Sequence, residues 1–321
     1  MNLEQDYIDL FSQKRKGHMG KYIYMYRPAI YDEIIKQDAY YPFKMESELL
    51  IQMANHICEN FENVRHVLEL GPGSRIPILS KTVPFLKTLK SKIGAFTYTA
   101  VDSTLEYAEQ ACALVEQNID NIKTNPLEID FLQPNAFDTA RSGDHPHHNR
   151  LMICFGQPIF ANNDDNDIEI LLRSIGRFLN QGDYLLFGVD KNNDEVLLES
   201  AYNIKPIQEL LLNSMYHLKL TLNLESFDPE AFKLTCKWDN KENKVELSLK
   251  ATTQQIIKIR EQELLIDKGQ QFNILNSRRP VIEAIRKFLA QENLIIKNVI
   301  SLNSDASNTF SIIIAQKHSS L

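Results

Sequence analysis

Hydrophobic residues between about positions 61 and 190 alternate between two patterns. Short apolar runs are separated by longer segments in which apolar residues recur every three or four positions. The runs predict buried strands at 66–70, 96–102, 124–131, 150–156 and 184–190. The longer segments predict amphipathic helices at 76–92, 103–119 and 165–180. Strands separated by helices of this length form parallel βαβ units, so this region predicts a doubly wound sheet.

The flanking regions follow other patterns. Residues 26–60 repeat at helical spacing, and 196–218 reads as one long helix. Polar and apolar residues then alternate over 232–239, 244–252 and 254–266, which predicts an antiparallel sheet with one exposed face. The tail returns to one helix and two strands. We therefore expect 61–195 and 280–321 to form one domain, and 1–60 and 196–279 to form an inserted α+β domain.

The turn after the first strand has the sequence "VLELGPGSRI". Three interpretations are open: the phosphate turn of a dinucleotide enzyme, the turn of an S-adenosylmethionine (SAM) enzyme, or a plain tight turn. The dinucleotide fingerprint needs a third glycine where this chain has Ile76, so that interpretation fails. Glu69, Gly71 and Gly73 instead form the acid-x-Gly-x-Gly pattern of SAM enzymes, in which glycine backbone contacts the methionine part of the cofactor.

Acidic residues also end the next two strands. Asp102 follows the second strand, where a carboxylate is placed to accept both ribose hydroxyls. Asp130 and Phe131 follow the third strand, in a position for the adenine amino group and for stacking. Ligands of doubly wound sheets bind at this carboxyl edge. The three elements together predict a Rossmann-like class I SAM methyltransferase sheet, mostly parallel with an antiparallel last strand, and a small-molecule substrate.

Charge and composition narrow the choice of partners. Lys and Arg number 35 against 42 Asp and Glu, for a formal net charge of -7. That balance argues against nucleic acid or an anionic membrane as the main partner. No run of 18 apolar residues and no leader-like segment is evident, so we expect a cytoplasmic protein, a monomer or a weak dimer. The four cysteines form no CxxC pair, as in a reducing compartment.

Two polar segments are interpreted as solvent-exposed surface without a binding role. "DHPHHN", with His145, His147 and His148, is read as a solvated loop rather than a metal site, because it lacks a pattern of Asp or Cys partners. The basic run from Lys14 to His18 is read as a solvated face.

The chain resembles a known family over most of its length: the histidine-specific SAM-dependent N-methyltransferases of ergothioneine biosynthesis, with related fungal enzymes that methylate a prenylated tryptophan amine. "YDEIIKQDAYYPFKMESELL" is similar to its Tyr-Tyr-Pro/Leu-x-x-x-Glu stretch, and "LELGPGS" to its Leu-Glu-Leu-Gly-x-Gly-Ser. "YLLFGVDKNNDEVLLESAYN" and "FKLTCKWDNKENKVELSLKAT" are similar to two later motifs, in the same order.

The resemblance implies functional residues by position. Those implied to contact SAM are Gly71, Gly73, Ser74, Asp102, Asp130 and Phe131. An amino-acid pocket is implied at Tyr40 or Tyr41, at an Asn after the fourth strand, and at Tyr202. The family's Gly-Ser-Thr-Ile-Gly-Asn appears here as "GQPIFAN", one residue longer. The implied Asn is therefore Asn162, with Asn163 as the alternative.

One departure concerns the acceptor. The family reads the imidazole of histidine with a Glu and a Ser two residues later; here the stretch is "FNILNSRR", with Leu275 and Ser277 at those positions. An aliphatic side chain removes the partner of an imidazole N–H, and such a site discriminates against that substrate. We expect an N-methyltransferase for the amine of an amino acid other than histidine, or of a derivative. The alternatives are a histidine N-alpha-methyltransferase and a non-catalytic SAM-fold binding protein.

Overall fold

The computed structural model describes residues 3–27, 29–131, 133, 135–138, 148–302 and 310–319. His145 and His147 of the His-rich segment lie outside the described residues. The chain divides into two compact units. The sheet unit comprises Pro42–Phe160, Asp165–Asn192 and Pro280–Leu321, and the second unit comprises Met1–Tyr41, Ala161–Asp164 and Asn193–Arg279. Within the described ranges, no helix is long and apolar enough to cross a membrane, and no cluster of His, Cys, Asp and Glu is arranged to hold a metal ion.

The sheet unit contains a seven-stranded sheet. Its strands are β1 (Val64–Leu70), β2 (Thr97–Asp102), β3 (Lys123–Glu128), β4 (Asn149–Cys154), β5 (Tyr184–Asp190), β11 (Leu294–Ile300) and β12 (Phe310–Lys317). The strand order is β11-β12-β5-β4-β1-β2-β3, and β12 pairs antiparallel with both of its neighbours, whereas the pairs from β5 to β3 are parallel. This sheet confirms the predicted fold class. The predicted third strand extends to 131, whereas β3 ends at Glu128.

Helices cover both faces of this sheet. They are α3 (Tyr41–Cys58), α4 (Arg75–Pro77), α5 (Val83–Ile93), α6 (Leu105–Asn118), α7 (Asp165–Phe178) and α10 (Ile282–Gln291). A π-helical turn over Ile78–Thr82 joins α4 to α5, and Pro84 is the second residue of α5. Because Pro84 has no backbone N–H and lies in the first turn of α5, the predicted helix continues through it without losing a bond that α5 needs.

The central strands of the sheet unit are buried on both faces, so side chains of one strand enter two different apolar clusters. All seven residues of β5 are buried. Tyr184 and Leu186 pack into one apolar cluster, and Leu185 and Phe187 pack into another, because successive side chains point to opposite faces. This is why the run reads as continuously apolar in the sequence.

A buried ion pair lies among these elements. Glu46 of α3 and Lys81 of the π-helical turn are 1% and 2% exposed, and their Oε2 and Nζ atoms are 2.8 Å apart. Both oxygens of Glu46 also accept the backbone N–H of Gly156, just after β4, at 3.0 and 2.8 Å. Breaking such a pair leaves an uncompensated buried charge, at a cost of about 3–5 kcal/mol.

Gly188 of β5 makes room for that carboxylate. A Cβ at this position would lie 2.3 Å from Oε1 of Glu46 and 2.9 Å from the ring of Phe310. The glycine in "LLFGVD" is therefore required by a close approach between a side chain and the strand rather than by backbone conformation.

The second unit combines helices with two small antiparallel sheets. Its helices are α1 (Leu3–Phe11), α2 (Ile30–Ile35), α8 (Glu195–Tyr202) and α9 (Lys205–Thr221), and its strands are β6 (Phe232–Asp239), β7 (Lys244–Ala251), β8 (Gln255–Ile259), β9 (Gln262–Ile266) and β10 (Gln271–Arg278). The sheet orders are β10-β7-β6 and β8-β9. The prediction of one helix over 196–218 is wrong. Ile204 is extended and Pro206 lies in the first turn of α9, where proline starts a helix rather than continuing one.

The prediction of a solvated basic run is also wrong at its end. Gly17 and His18 are buried, and His18 forms an isolated antiparallel bridge with Leu275 of β10. The backbone N–H groups of Gly17 and Met19 donate to the carbonyls of Asn273 and Ile274, each at 3.0 Å. The segment therefore lies along the edge of the three-stranded sheet.

Candidate active site

The turn after β1 is a cradle of backbone in left-handed conformations. Gly71 and Gly73 have φ values of 62° and 70°, a backbone conformation that residues with a Cβ rarely adopt. Gly71 donates its N–H to the carbonyl of Val101 at 2.8 Å, which fixes the turn against the end of β2. A Cβ at Gly73 would meet no heavy atom within 4 Å. The turn thus presents open space beside the backbone, and Ser74 follows it with extended backbone as the first residue before α4.

Asp102 ends β2 beside this turn. Its side chain is 8% exposed, and Oδ1 accepts the N–H of Thr104 at 3.1 Å. Burial raises the pKa of Asp102, and backbone donors from Thr104, Gly73 and Ser103 oppose that shift. The hydrogen bond from the backbone of Gly73 joins the glycine turn to Asp102 at the end of β2.

Phe131 and Asp130 complete this group from the segment after β3. A Cβ on Gly71 would lie 4.0 Å from the Phe131 ring, so the ring packs against the glycine turn. Asp130 accepts a hydrogen bond from Nε2 of Gln133 at 2.9 Å. The two predicted residues lie at the same sheet edge as Gly71 and Asp102, since Ile129 donates its N–H to the carbonyl of Asp102.

Glu69 has a different environment. It is 1% exposed; Oε1 accepts from the hydroxyl of Thr82 at 2.7 Å, and Oε2 accepts from that of Tyr98 at 2.6 Å. Burial raises the pKa of Glu69 to about 7, although both hydroxyl donors lower it. Its contacts therefore fasten the end of β1 to the helical stretch behind the turn, and its assignment as a cofactor-binding residue stays a prediction.

These residues fit a bound SAM molecule. The glycine turn offers backbone with open space beside it, as the amino-acid part of SAM requires. The partly desolvated carboxylate at the end of the neighbouring strand suits a vicinal diol, and the aromatic ring against the turn suits a flat base.

A second group of predicted residues meets within the second unit. The hydroxyl of Tyr202, the last residue of α8, is 2.8 Å from Oγ of Ser277 in β10. Tyr40 packs edge-on against Tyr202, with ring centroids 5.6 Å apart. Burial raises the pKa of Tyr40 well above its ordinary value. Tyr41, the first residue of α3, is half-buried next to Tyr40 in the chain.

The Asn segment is fixed beside the same strand. Arg278, which follows Ser277, donates its backbone N–H to the carbonyl of Ala161 at 2.9 Å and its guanidinium to the carbonyl of Asn163 at 3.3 Å. Asn162 lies between these two attachment points, and both Asn162 and Asn163 are half-buried. These two contacts hold the Asn segment against Arg278, the residue after Ser277, and the choice between Asn162 and Asn163 stays a prediction.

Leu275 lies on the same face of β10 as Ser277. In the strand register, Leu275 pairs with Leu247 and Ser277 pairs with Val245, and all four residues are buried. An ideal Cβ on Gly20 would lie 3.2 Å from Cδ1 of Leu275. The surroundings of Leu275 are therefore apolar side chains and closely packed backbone.

Arg279 of the second group was missed in the sequence, and so were the partners of Glu46 in the sheet unit. Arg279 is 3% exposed and bonds both Tyr202 and Ser277. Its place two residues after Ser277, in the alternation 275, 277, 279, is the signal that could have found it. Glu46 was visible as an acid within the apolar pattern of α3, but its partners Lys81 and Gly156 come from distant parts of the chain.

The seven-stranded sheet and the glycine-acid edge define the class: a class I SAM-dependent methyltransferase. The family described as "Histidine-specific methyltransferase, SAM-dependent" matches residues 3–317. The chain therefore belongs to that family, and it is a SAM-dependent N-methyltransferase that acts on a small molecule. Membership of a family of enzymes sets aside the alternative of a non-catalytic binding protein.

Individual relatives are distant. A histidine N-alpha-methyltransferase of Mycobacterium tuberculosis is 22% identical over 239 residues, covering 74% of this chain and 71% of that protein. The N-methyltransferase imqF of Aspergillus flavus is 23% identical over 216 residues, covering 65% of this chain and 57% of that protein. Among solved structures, a SAM-dependent methyltransferase from Clostridium acetobutylicum is 15% identical with a TM-score of 0.46, covering 91% of this chain and 98% of that one.

Gly73→Ala should weaken SAM binding, and Gly94→Ala is its matched control. Both glycines have positive φ, 70° and 80°, and a Cβ on either would meet no heavy atom within 4 Å. Each substitution should cost about 1–3 kcal/mol of folding free energy through backbone strain. Only Gly73→Ala fills the open space of the turn, so calorimetry should show a loss of SAM affinity of about tenfold or more in that variant alone. Equal SAM affinity in the two variants would contradict the site.

Glu69→Gln should change how stability depends on pH. The folded-state pKa of about 7 lies above the ordinary value of 4.5, so the folded protein favours the protonated acid. The wild type should therefore lose about 3 kcal/mol of unfolding free energy as pH rises from 4.5 through 7, a loss that the amide lacks. Urea unfolding of both proteins at a series of pH values measures the difference. Parallel stability curves for the two proteins would show that Glu69 is ionised in the fold.

Proposed function

We propose that this enzyme methylates the amine nitrogen of an amino acid, or of a small molecule derived from one, and that its preferred acceptor is not histidine. The observation that carries the proposal is Leu275. It is 5% exposed, lies in an apolar cluster and occupies the position at which the family resemblance places the imidazole-binding Glu. An imidazole N–H placed against this side chain would have no hydrogen-bond acceptor. Burying an unpaired donor is costly, so the site would discriminate against histidine.

The cofactor residues are assigned by their chemistry. We assign the backbone of Gly71, Gly73 and Ser74 to the methionine part of SAM, and the Asp102 carboxylate to the ribose hydroxyls. Asp130 and Phe131 are assigned to the adenine amino group and ring face. The open space at Gly73 and the packing of Phe131 on Gly71 support these roles.

The acceptor residues are assigned to the second unit. Tyr40, Tyr41 and Tyr202, with Asn162 or Asn163, would orient the amine and the carboxylate of the substrate. The contact between Tyr202 and Ser277, and the attachment of the Asn segment at Arg278, support a common pocket for these side chains.

Methyl transfer from SAM requires mainly that the protein position the acceptor amine. SAM supplies a methyl group on a sulfonium sulfur, so no further activation of the leaving group is needed. The protein's part is to hold a neutral amine in line with the methyl carbon, which contributes roughly 7–11 kcal/mol. Because burial raises the pKa of Tyr40 well above its ordinary value, this phenol keeps its proton at neutral pH. Tyr40 therefore orients the amine, and solvent takes the proton that the amine releases.

A histidine N-alpha-methyltransferase is the second candidate, favoured by the similarity to the histidine N-alpha-methyltransferase of Mycobacterium tuberculosis. Incubation of the purified enzyme with SAM and each of the twenty protein amino acids, with mass detection of methyl gain, separates the two. We expect turnover with at least one amino acid or derivative at a higher kcat/KM than with histidine. Histidine as the best acceptor would establish the second candidate, and absence of turnover with every amine would overturn the proposal.

Leu275→Glu should increase activity toward histidine. The new carboxylate supplies the acceptor that the imidazole N–H lacks, so kcat/KM for histidine should rise by about tenfold or more relative to the wild type. Leu275→Met is the matched control, because it keeps the apolar character and nearly the same volume and should leave histidine turnover unchanged. An equal response of the two variants would show that residue 275 does not read the acceptor.

A further inference from the structure

One glycine of the second unit is held in place from both sides along the chain. Gly20 follows a segment that is bonded to the edge of β10 through the backbone N–H groups of Gly17 and Met19, each at 3.0 Å. On its other side, Lys21 pairs with Asp6 of α1, with Nζ and Oδ2 2.8 Å apart. Because both neighbours of Gly20 are bonded to other elements, the backbone at this glycine is fixed.

Backbone conformation does not explain why residue 20 is a glycine. Among the glycines that the structure describes, seven have positive φ, and Gly20 is not one of them. Close packing explains Gly176 and Gly188, where a Cβ would lie 2.6 and 2.3 Å from a glutamate side chain. Gly20 meets neither condition, so an alanine can adopt its backbone conformation. What the missing side chain provides is space.

The space beside Gly20 is open on most sides. The residue is half-buried, and a Cβ there would meet two heavy atoms within 4 Å in the described part of the chain, apart from its neighbours in sequence. They are Cδ1 of Leu275 at 3.2 Å and the carbonyl oxygen of Asn162 at 3.5 Å. Leu275 is 5% exposed within an apolar cluster, so it has little freedom to move away. A methyl group at position 20 would therefore press on Leu275 and fill part of the open space.

The two atoms that border this space belong to residues with different roles in the proposed function. Leu275 is assigned to the side chain of the acceptor, and Asn162 is one of the two candidates for its amine or carboxylate. The first side-chain carbons of an amino acid lie between those groups, where Gly20 leaves room. Neither Leu275 nor a glycine offers a hydrogen-bonding side chain, so this space suits carbon and selects by size.

We propose that Gly20 is a specificity-determining residue, which leaves room for acceptors whose side chain is large and apolar. Any side chain at position 20 lowers the upper limit on the size of the acceptor. The inference rests on the proposed function for the role of Leu275. It adds the kind of side chain that the acceptor carries and the residue that admits it.

The test measures binding, so it does not require turnover. Calorimetry in the presence of S-adenosylhomocysteine gives Kd values for L-alanine, L-leucine, L-phenylalanine and L-tryptophan. We expect wild-type affinity to rise from alanine to the larger amino acids, because they bury more apolar surface. In Gly20→Ala, affinity for phenylalanine and tryptophan should fall by about tenfold or more, whereas affinity for alanine should change by less than about twofold. Gly20→Val should extend the loss to leucine.

A second glycine separates size selection from loss of stability. Gly269→Ala makes the same change in the same unit, in the turn before β10, where φ is 89° and a Cβ would meet no heavy atom within 4 Å. It should cost about 1–3 kcal/mol of folding free energy through backbone strain and leave all four affinities at their wild-type values. Thermal unfolding checks that each variant is folded.

A double variant tests whether the effect passes through Leu275. Leu275→Val shortens the side chain that the new methyl group would touch. In Gly20→Ala combined with Leu275→Val, affinity for phenylalanine and tryptophan should therefore recover by about threefold or more relative to Gly20→Ala alone.

The outcomes of the two tests are distinct. Equal losses for alanine and tryptophan in Gly20→Ala, unchanged affinity for all four amino acids, or the same losses in Gly269→Ala would overturn the inference. So would a wild type that binds none of the four or that prefers alanine. Failure of the proposed function is seen separately, as absence of methyl transfer to every amine, and it leaves the binding result unaffected.

Discussion

The sheet unit depends on one buried carboxylate. Glu46 is nearly inaccessible, and its two oxygens are shared by the ammonium of Lys81 and the backbone N–H of Gly156. It therefore connects α3, the helical stretch after the glycine turn, and the chain that leaves β4. Because Gly188 has no side chain, β5 can approach the same carboxylate closely. A charge in this place is tolerated only when every partner is present, so the arrangement of these elements is strongly specified.

The second unit uses buried charge in a different way. There the permanent cation of Arg279 lies with two hydroxyls, while the neighbouring position on the strand is the aliphatic Leu275. The apolar core of the second unit is a cluster of its own, distinct from the two clusters on the faces of the seven-stranded sheet.

Much of the fold follows from patterns that are local in sequence. The apolar runs identify the strands because a strand buried on both faces must be apolar throughout, and β5 shows this at all seven positions. The glycine turn and Asp102 were identifiable because the carboxyl ends of parallel strands share one edge. The long helix at 196–218 was mispredicted because apolar spacing continues across Ile204, where only the local effect of Pro206 ends one helix and starts another. His18 was misread because its burial depends on Leu275, more than two hundred residues away.

The sequence by itself determined the class of sheet and the turn that suits SAM, since each depends on residue type and short-range spacing. Only the tertiary structure decided which polar groups share one environment. It brought Glu46 to Lys81 and Gly156, engaged both oxygens of Glu69 inside the protein, and closed Tyr202, Ser277 and Arg279 into one network. The physical reason is that burial and hydrogen-bond partners come from chain segments far apart in sequence, and the energy of a polar group depends on those surroundings rather than on its neighbours along the chain.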